Sequence, residues 1–320
     1  MQAYSHHLKI IEQEIQKNQF TGSPQNLYEP LNYIIGLGGK RIRPVLTLMG
    51  CELYSGKIEK AIPSALAVEV FHNFSLIHDD IMDKAPVRRG KPTIHEKWDE
   101  HTAILSGDLM LVKAYEILIR SEPKYLTELF SVFNRTAAQV CEGQQMDMNY
   151  ETIEDVTEEE YLEMIRLKTS ALLGCSLQLG AIMADADKGE AFKLYDLGVN
   201  MGMGFQLMDD YLDAFGTPEL VGKQPGGDIL AGKKTIMAIR SMESDKAKLQ
   251  DLFSDKNTND IQRIEEVKNI FIKTGSDVYL KQLSQNYFDR ASQNLKDLNT
   301  DESKKTDLNE LLVYLQNRSF

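Results

Sequence analysis

Two stretches of the sequence, HNFSLIHDDIMD at 72–83 and GMGFQLMDDYLD at 202–213, end in the pattern Asp-Asp-x-x-Asp. On a helix, the outer aspartates of each pattern are four residues apart, so their carboxylates share one face. Like charges on one face repel, and a cation between them would remove the repulsion. One such group is also common at an exposed helix end. A second copy, placed 130 residues later at the end of another apolar run, favours cation binding.

The ligand type indicates which cation would bind. Carboxylate oxygens are hard ligands, which favour Mg²⁺ over zinc. Protein-bound Mg²⁺ keeps several waters and usually shares its coordination with the phosphates of a substrate. The aspartate groups therefore predict a site for Mg²⁺ and a phosphorylated ligand.

Three clusters rich in Gly and Pro, at 36–44, 84–92 and 216–235, carry positive charges. They read as loops at helix ends, where glycine lets the backbone approach an anion closely. Taken singly, each cation suits a solvated surface, whereas together they suit a polyphosphate. Their basic residues are Lys40, Arg41, Arg43, Arg88, Arg89, Lys223, Lys233 and Lys234. The spacing of a Walker loop is absent, as is a Gly-rich dinucleotide motif.

The composition excludes one class of partner. The chain has 320 residues, 42% of them hydrophobic, with a formal charge of −12 and a pI near 5.1. An acidic chain is poorly suited to nucleic acid, which needs clustered Lys and Arg. The cysteines Cys51, Cys141 and Cys175 show no metal-binding spacing and are expected to be buried, reduced thiols.

Helical periodicity dominates the chain, most clearly over 102–120, 125–149 and 158–184. No series of short alternating strands is visible, so we predict an all-α protein, one domain over residues 1–320. The apolar run 171–184 is too short for a membrane span and predicts a buried helix. No signal pattern begins the chain, and we expect a cytoplasmic protein. Residues 241–320 carry no evident site and are expected to form supporting helices.

Six ordered blocks across about residues 30–240 resemble the trans-isoprenyl diphosphate synthases, the polyprenyl synthetase family. They are GGKRIRP, HNFSLIHDDIMD, RRGKPTIH, EGQQMD, KTS at 168–170, and GFQLMDDYLD followed by GKQPGGDILAGKKT. The resemblance implies a bundle of long helices around a central prenyl cavity, the isoprenoid synthase type I fold, and usually a homodimer. It also implies a reaction. An allylic diphosphate ionises, the double bond of isopentenyl diphosphate attacks the cation, a proton is lost, and the chain grows by five carbons.

The resemblance assigns roles to single residues. Asp79, Asp83 and Asp209 would be direct Mg²⁺ ligands, and Asp80, Asp210 and Asp213 would be outer partners. Three Mg²⁺ ions would bind together with the allylic diphosphate. The allylic diphosphate would be held by Arg88, Lys168, Lys223 and Lys233. Isopentenyl diphosphate would be held by Lys40, Arg43, His72 and Arg89. Thr169 and Gln206, otherwise ordinary helix polar residues, would stabilise the allylic cation through their oxygens. Lys234 falls in a variable position and is left out, while His78, His95 and His101 are expected to be structural.

The resemblance implies that product length depends on the residue five positions before the first aspartate, which here is Phe74. An ideal helical wheel places Ser75 on the aspartate face and Phe74 about 140° away, so periodicity alone would not select Phe74. In the family, this position is the usual floor of the cavity, where an aromatic residue goes with short products. With the small Ser75 beside it, the pattern resembles enzymes that make the twenty-carbon geranylgeranyl diphosphate, with the fifteen-carbon farnesyl product as the alternative. Phe74 could otherwise be only a core aromatic.

Three other functions fit the sequence less well. A terpene cyclase typically has a different second metal motif and does not need the isopentenyl diphosphate residues. A non-catalytic regulatory subunit loses aspartates, and here all six are present. A metal-dependent diphosphatase would need a positioned water, whereas the apolar helices before both motifs suggest a dry cavity.

Overall fold

The computed structural model describes residues 2–54, 57–217, 225–254 and 258–317 and is almost entirely helical over them. The helices, numbered here in chain order, are α1 (Gln2–Lys17), α2 (Gln25–Gly36), α3 (Ile42–Glu52), α4 (Ile62–Met82), α5 (Ile94–Lys97), α6 (Glu100–Leu118), α7 (Leu126–Thr152), α8 (Glu158–Ile165), α9 (Ala171–Met183), α10 (Lys188–Phe215), α11 (Gly227–Leu230), α12 (Ile236–Ser254), α13 (Asp260–Thr274), α14 (Ser276–Lys296) and α15 (Glu302–Asn317). Short 3₁₀ turns lie at Ile58–Ala61 and Pro123–Tyr125. The predicted all-α class is confirmed.

Backbone contacts divide the chain into two compact units. The first unit comprises the described residues of Met1–Arg135, Cys175–Tyr195 and Leu298–Leu308. The second comprises those of Thr136–Gly174, Asp196–Asp297 and Asn309–Phe320. The first aspartate group belongs to the first unit and the second group to the second unit. The single domain over residues 1–320 stays a prediction.

The second unit contains the core that supports its aspartate group. Met203 and Leu207 of α10 pack in one apolar cluster with Phe271 of α13 and Leu280 of α14. All four side chains are at most 2% exposed. Burial of large apolar side chains is the main stabilising contribution to such a cluster. The helices after residue 241 therefore do support α10, as expected.

The sequence reading needs two corrections. Cys141 on α7 is exposed rather than buried, because it falls on the outer face of that helix; Cys51 and Cys175 are buried as predicted. The loop 84–92 contains a two-residue antiparallel ladder, β1 (Val87–Arg88) with β2 (Lys91–Pro92). Within the described ranges, no helix combines the length and apolar character needed to cross a bilayer.

Candidate active site

The first aspartate group ends α4. Asp83 directly follows the helix, and its backbone N–H donates to the carbonyl of Asp79 at 2.9 Å, so the two lie one turn apart. Asp79 is half-buried and Asp83 is exposed. The middle aspartate, Asp80, is only 2% exposed. The group thus presents its outer carboxylates and buries the middle one.

Arg88 of β1 holds the buried carboxylate of Asp80. Its Nε lies 2.9 and 2.8 Å from the two carboxylate oxygens, and its Nη2 lies 2.7 Å from Oδ1. The same Nη2 lies 3.5 Å from Asp79 Oδ2. Burial raises the pKa of Asp80, and the Arg88 guanidinium opposes that rise. Arg88, predicted to hold the allylic diphosphate, here forms an ion pair with Asp80.

The turn between β1 and β2 separates two adjacent arginines. Arg89 and Gly90 have φ values of 53° and 72°, as a two-residue type I′ hairpin turn requires. While Arg88 reaches the aspartates, the Arg89 guanidinium lies against Gly39 in the loop between α2 and α3. A Cβ at Gly39, whose φ is 136°, would be only 2.7 Å from Arg89 Nη2. Glycine at 39 therefore makes room for this guanidinium.

Arg43 and His72 meet beside this loop. Arg43 Nη1 lies 3.2 Å from His72 Nε2. Burial, followed by the charges of Arg43 and Arg89, holds the pKa of His72 well below its usual value, so the ring is neutral at pH 7. Burial also lowers the pKa of Arg43 to about 10. Three of the four residues predicted to bind isopentenyl diphosphate are thus electrostatically coupled, and the fourth, Lys40, is exposed in the same loop.

A buried arginine that sequence reasoning left without a role anchors this loop. Arg41 has a left-handed φ of 49° at the start of α3 and is 4% exposed. Its guanidinium donates to Glu69 of α4 at 2.6 Å, to Glu12 of α1 at 2.8 Å and to the carbonyl of Ile35 at 2.5 Å. These contacts fix the backbone between Lys40 and Arg43. The αL conformation was not visible in the sequence, because it occurs at a non-glycine residue.

Phe74 lies in the interior of the first unit. It is 8% exposed, and its ring centroid lies 5.3 Å from that of Phe71 and 5.0 Å from that of His78. Ser75 is half-buried, and its hydroxyl donates to the carbonyl of His72 at 2.8 Å. His78 Nε2 lies 3.2 Å from the carbonyl of Ile104 on α6. His78 thus has a packing role, as the structural prediction for it requires.

The second unit contains a cavity of about 600 Å³ beside α10. Ligand pockets of proteins commonly have volumes of this order. Its wall includes most of the residues predicted to act with the second aspartate group: Lys168, Thr169, Gln206, Asp209, Asp210, Asp213 and Lys233. Lys223 lies outside the described residues.

A chain of hydrogen bonds runs along the wall of this cavity. Thr169 Oγ1 donates to Gln206 Oε1 at 3.1 Å, and Gln206 Nε2 donates to Asp210 Oδ1 at 3.0 Å. From the other side, the hydroxyl of Tyr161 on α8 donates to Asp210 Oδ2 at 2.6 Å. Burial, reinforced by Asp228, raises the pKa of Asp210 to about 8. Burial also raises the pKa of Tyr161, which keeps its hydroxyl a donor.

The other predicted residues of this wall have close partners too. Lys168 Nζ lies 2.5 Å from Asp147 Oδ2 of α7. Lys233 Nζ lies 3.8 Å from Asp228 Oδ1. The backbone N–H of Asp228 donates to Asp213 Oδ2 at 2.8 Å, and Asp213 is 4% exposed. In the sequence, only its position in the EGQQMD block indicated that Asp147 could have a role.

Lys234 also lines the cavity, but its side chain binds the protein. Its Nζ donates to the carbonyl of Tyr150, in the last turn of α7, at 2.7 Å. A lysine near the last carbonyls of a helix satisfies groups that have no partner in the helix. This contact fits the omission of Lys234 from the predicted substrate residues.

A π-helical turn, Arg166–Ser170, presents Lys168 and Thr169. The N–H of Ala171 donates to the carbonyl of Arg166, five residues earlier. Two glycines allow neighbouring helices to approach this turn. A Cβ at Gly143 of α7 would lie 2.3 Å from the Lys168 nitrogen, and one at Gly202 of α10 would lie 2.7 Å from Ser170 Cα. Such turns often occur at functional sites.

The residues fit Mg²⁺ by their chemistry. No group of three His, Cys, Asp or Glu ligands is close enough to hold a metal in the part of the chain that the structure describes. Mg²⁺ does not require one, since it binds one or two carboxylates together with waters and substrate phosphates. Asp79, Asp83 and Asp209 are exposed or half-buried. By contrast, Asp80, Asp210 and Asp213 are at most 4% exposed and accept hydrogen bonds from protein donors.

Comparison with known proteins identifies the family. The polyprenyl synthetase family model matches residues 24–271. The chain is 38% identical over 299 residues to a geranylgeranyl diphosphate synthase of Methanosarcina mazei, covering 93% of this chain and 91% of the relative. It is 42% identical over 266 residues to a short chain isoprenyl diphosphate synthase of Methanocaldococcus jannaschii, covering 82% and 79%. A crystal structure of a geranylgeranyl pyrophosphate synthase matches with a TM-score of 0.95 at 43% identity over 99% of both chains.

The helical fold and the two aspartate groups define a prenyltransferase of the isoprenoid synthase type. The chain belongs to the polyprenyl synthetase family, as the ordered sequence blocks predicted.

Proposed function

We propose that the protein condenses isopentenyl diphosphate with an allylic diphosphate (dimethylallyl, geranyl or farnesyl) and releases all-trans geranylgeranyl diphosphate. One observation carries the proposal: a single cavity is lined by a carboxylate for cation binding, two lysines for a diphosphate, and the neutral oxygens of a threonine and a glutamine. These residues are Asp209, Lys168, Lys233, Thr169 and Gln206. The names of the relatives support the same reaction.

The first requirement is stabilisation of the leaving group. Breaking the allylic C–O bond places extra negative charge on the diphosphate, which Lys168, Lys233 and Arg88 would bind. Bound Mg²⁺, in a proposed set of three ions, would supply further positive charge at the diphosphate oxygens. Asp79, Asp83 and Asp209 would hold the metal, while Asp80, Asp210 and Asp213 would fix the surrounding structure from outer positions.

The second requirement is an allylic cation that survives until it is attacked. The oxygens of Thr169 and Gln206 would stabilise positive charge without forming a bond to it, whereas a carboxylate at the same place could be alkylated. The double bond of isopentenyl diphosphate then attacks the cation and forms the new C–C bond. The resulting cation loses a proton, for which the released diphosphate is the proposed acceptor.

The third requirement is a separate, metal-free site for isopentenyl diphosphate. Arg43 and His72 are in contact, and Arg89 lies over Gly39 beside them. Together with Lys40, these residues would bind the diphosphate. Because His72 is neutral at pH 7, it would bind the diphosphate through a hydrogen bond and would not contribute a positive charge.

Product length would be set by Phe74, whose buried ring faces Phe71 and His78. We expect Phe74→Ala to open the floor of the prenyl cavity and shift products to twenty-five carbons or more, which mass spectrometry of the products measures. Phe71→Ala, which removes an equally large ring one turn earlier, is the matched control. An unchanged product distribution in Phe74→Ala would remove Phe74 from the floor.

The test of the function is a product assay. Purified protein would receive isopentenyl diphosphate with a five-, ten- or fifteen-carbon allylic primer, and chain length would be read by mass spectrometry. We expect a twenty-carbon product. A fifteen-carbon product would favour the farnesyl diphosphate alternative. Hydrolysis of the primer without elongation would favour a diphosphatase.

We also propose a homodimer in the cytoplasm. Leu105 and Val112 of α6, and Ile119 directly after it, are 58%, 51% and 58% exposed and recur every seven residues, the spacing of a helix–helix seam. A second copy of this chain would cover them. Light scattering should give twice the monomer mass, and Val112→Glu should reduce it. A wild-type monomer at micromolar concentration would exclude the dimer.

A further inference from the structure

Tyr161, which no sequence signal selected, ends the hydrogen-bond chain on the wall of the 600 Å³ cavity. Its hydroxyl and the Gln206 amide bind opposite oxygens of the same carboxylate, at 2.6 and 3.0 Å. Tyr161 is 6% exposed and Asp210 is 4% exposed, so water has little access to replace either contact.

The direction of each hydrogen bond in this network determines which atoms of Gln206 and Thr169 remain available for other contacts. Both oxygens of Asp210 accept hydrogen bonds, Oδ2 from Tyr161 and Oδ1 from the NH₂ end of the Gln206 amide. The carbonyl oxygen of Gln206 is then turned towards Thr169, whose hydroxyl donates to it at 3.1 Å. With its proton used in this way, the Thr169 oxygen presents its lone pairs elsewhere. These hydrogen bonds thus occupy the Thr169 hydroxyl proton and an N–H of Gln206.

We propose that Tyr161 is a positioning residue for the condensation: it fixes Asp210, which in turn fixes the amide of Gln206 so that Gln206 and Thr169 offer oxygens to the allylic cation. The inference rests on the proposed function, because the cation is an intermediate of that reaction. Without the tyrosine hydroxyl, Asp210 has lost one of its two donors and can rotate. The Gln206 amide is then free to turn its N–H groups towards the cation, which would disfavour ionisation.

The experiment is a double-mutant cycle of Tyr161→Phe and Gln206→Ala, assayed with both substrates. Because removal of the hydroxyl leaves a buried oxygen of Asp210 without its donor, we expect Tyr161→Phe to lower kcat by about 10- to 100-fold. KM for each substrate should change by less than about threefold, since the diphosphate-binding residues are untouched. If Tyr161 acts through Gln206, the double variant should be no slower than Gln206→Ala alone.

Tyr150→Phe is the matched control, because it removes another tyrosine hydroxyl from the wall of the same cavity, one that bonds only the carbonyl of Glu160 at 3.4 Å. We expect kcat within about twofold of wild type for this variant. A purely structural role for Tyr161 would give additive losses in the cycle, and a kcat within threefold of wild type would show no role. Either result would overturn the proposal.

A second variant keeps the test independent of the folding of Tyr161→Phe. In Asp210→Asn, the new amide can donate to Gln206 and reverse it, so its kcat loss should also be non-additive with Gln206→Ala. Additive losses there would likewise overturn the proposal. A wild-type enzyme that forms no prenyl product would instead overturn the proposed function, which separates the two failures.

Discussion

The two Asp-Asp-x-x-Asp groups bury the same middle aspartate but satisfy it differently. In the first unit, Asp80 is held by the guanidinium of Arg88 at 2.7–2.9 Å. In the second unit, Asp210 is held by the uncharged donors Tyr161 and Gln206. An arginine compensates the buried charge, whereas neutral donors leave it largely uncompensated, and only for Asp210 does the pKa rise to about 8. The same motif therefore has its middle carboxylate paired with an arginine in one unit and hydrogen-bonded by neutral donors in the other.

The largest expected effect tests what the two groups share. Asp79→Asn and Asp209→Asn should each lower kcat by about 100- to 1,000-fold, because each weakens the binding of the charge that stabilises the leaving group. A chelator should abolish turnover and added Mg²⁺ should restore it. Asp108→Asn, at an exposed aspartate of α6, is the control. Near-normal kcat in both motif variants would contradict the metal assignment.

The next effect separates the two anion sites. Arg43→Ala should raise KM for isopentenyl diphosphate by about 10- to 100-fold, because it removes a charged donor. Lys168→Ala should instead impair the binding or ionisation of the allylic diphosphate. Steady-state kinetics with each substrate varied in turn would measure both. Lys234→Ala, which removes a lysine engaged with backbone carbonyls, should change neither by more than about threefold. If the Arg43 and Lys168 variants changed the kinetic constants for the two substrates in the same way, the proposal of two separate anion sites would be wrong.

A smaller effect tests the arginine that distinguishes the first group. Arg88→Gln leaves the Asp80 carboxylate buried without its cation and should lower the free energy of unfolding by about 2 kcal/mol at pH 7. This is less than for a fully buried pair, because the Arg88 side chain is 24% exposed. Urea unfolding without metal or substrate would measure it. Lys91→Gln, exposed on the same hairpin, should cost less than about 0.5 kcal/mol. Equal losses in the two variants would show that the ion pair does not stabilise the fold.

The smallest effect concerns His72, whose pKa is held below its usual value in the folded protein. As the pH falls below about 6.5, the unfolded chain binds a proton at this residue and the folded chain does not, so stability is lost. The loss reaches at most about 1.4 kcal/mol at pH 5.5. His72→Gln should reduce the difference in unfolding free energy between pH 7.5 and 5.5, which urea unfolding at the two pH values would measure. A wild-type-like difference in His72→Gln would place the pH sensitivity elsewhere.

The helices and the aspartate groups were predictable because their signals are local. The periodicity of 102–120 and 125–149 closely anticipates α6 and α7. The short hairpin was less visible, since its turn uses Arg89 at a positive φ beside a single glycine. An element is predicted well when many neighbouring residues favour the same secondary structure, as in the long helices, and poorly when only one or two do, as in the hairpin turn.

The contacts around each aspartate group between residues far apart in the sequence were not predictable in this way. Tyr161 and Asp210 are 49 residues apart, and Arg41 and Glu69 are 28 apart, so no periodic pattern connects them. Which buried tyrosine reaches a given carboxylate depends on the packing of whole helices. Asp147 was flagged only by its block, and its 2.5 Å contact with Lys168 gives it a physical role.

The π-helical turn at 166–170 also has a consequence for how this chain tolerates changes in length. A π turn accommodates one residue more than an α-helical turn over the same axial path, as though a residue had been inserted without disturbing the flanking helices. Deleting one residue after Thr169 would let the segment close into regular α-helix with α8 and α9 still in phase with their neighbours. Such a shortened chain should keep its fold and both Lys168 and Thr169, but present them at a changed angle. Its activity would show whether the presence of Lys168 and Thr169 is sufficient or whether their orientation is also required.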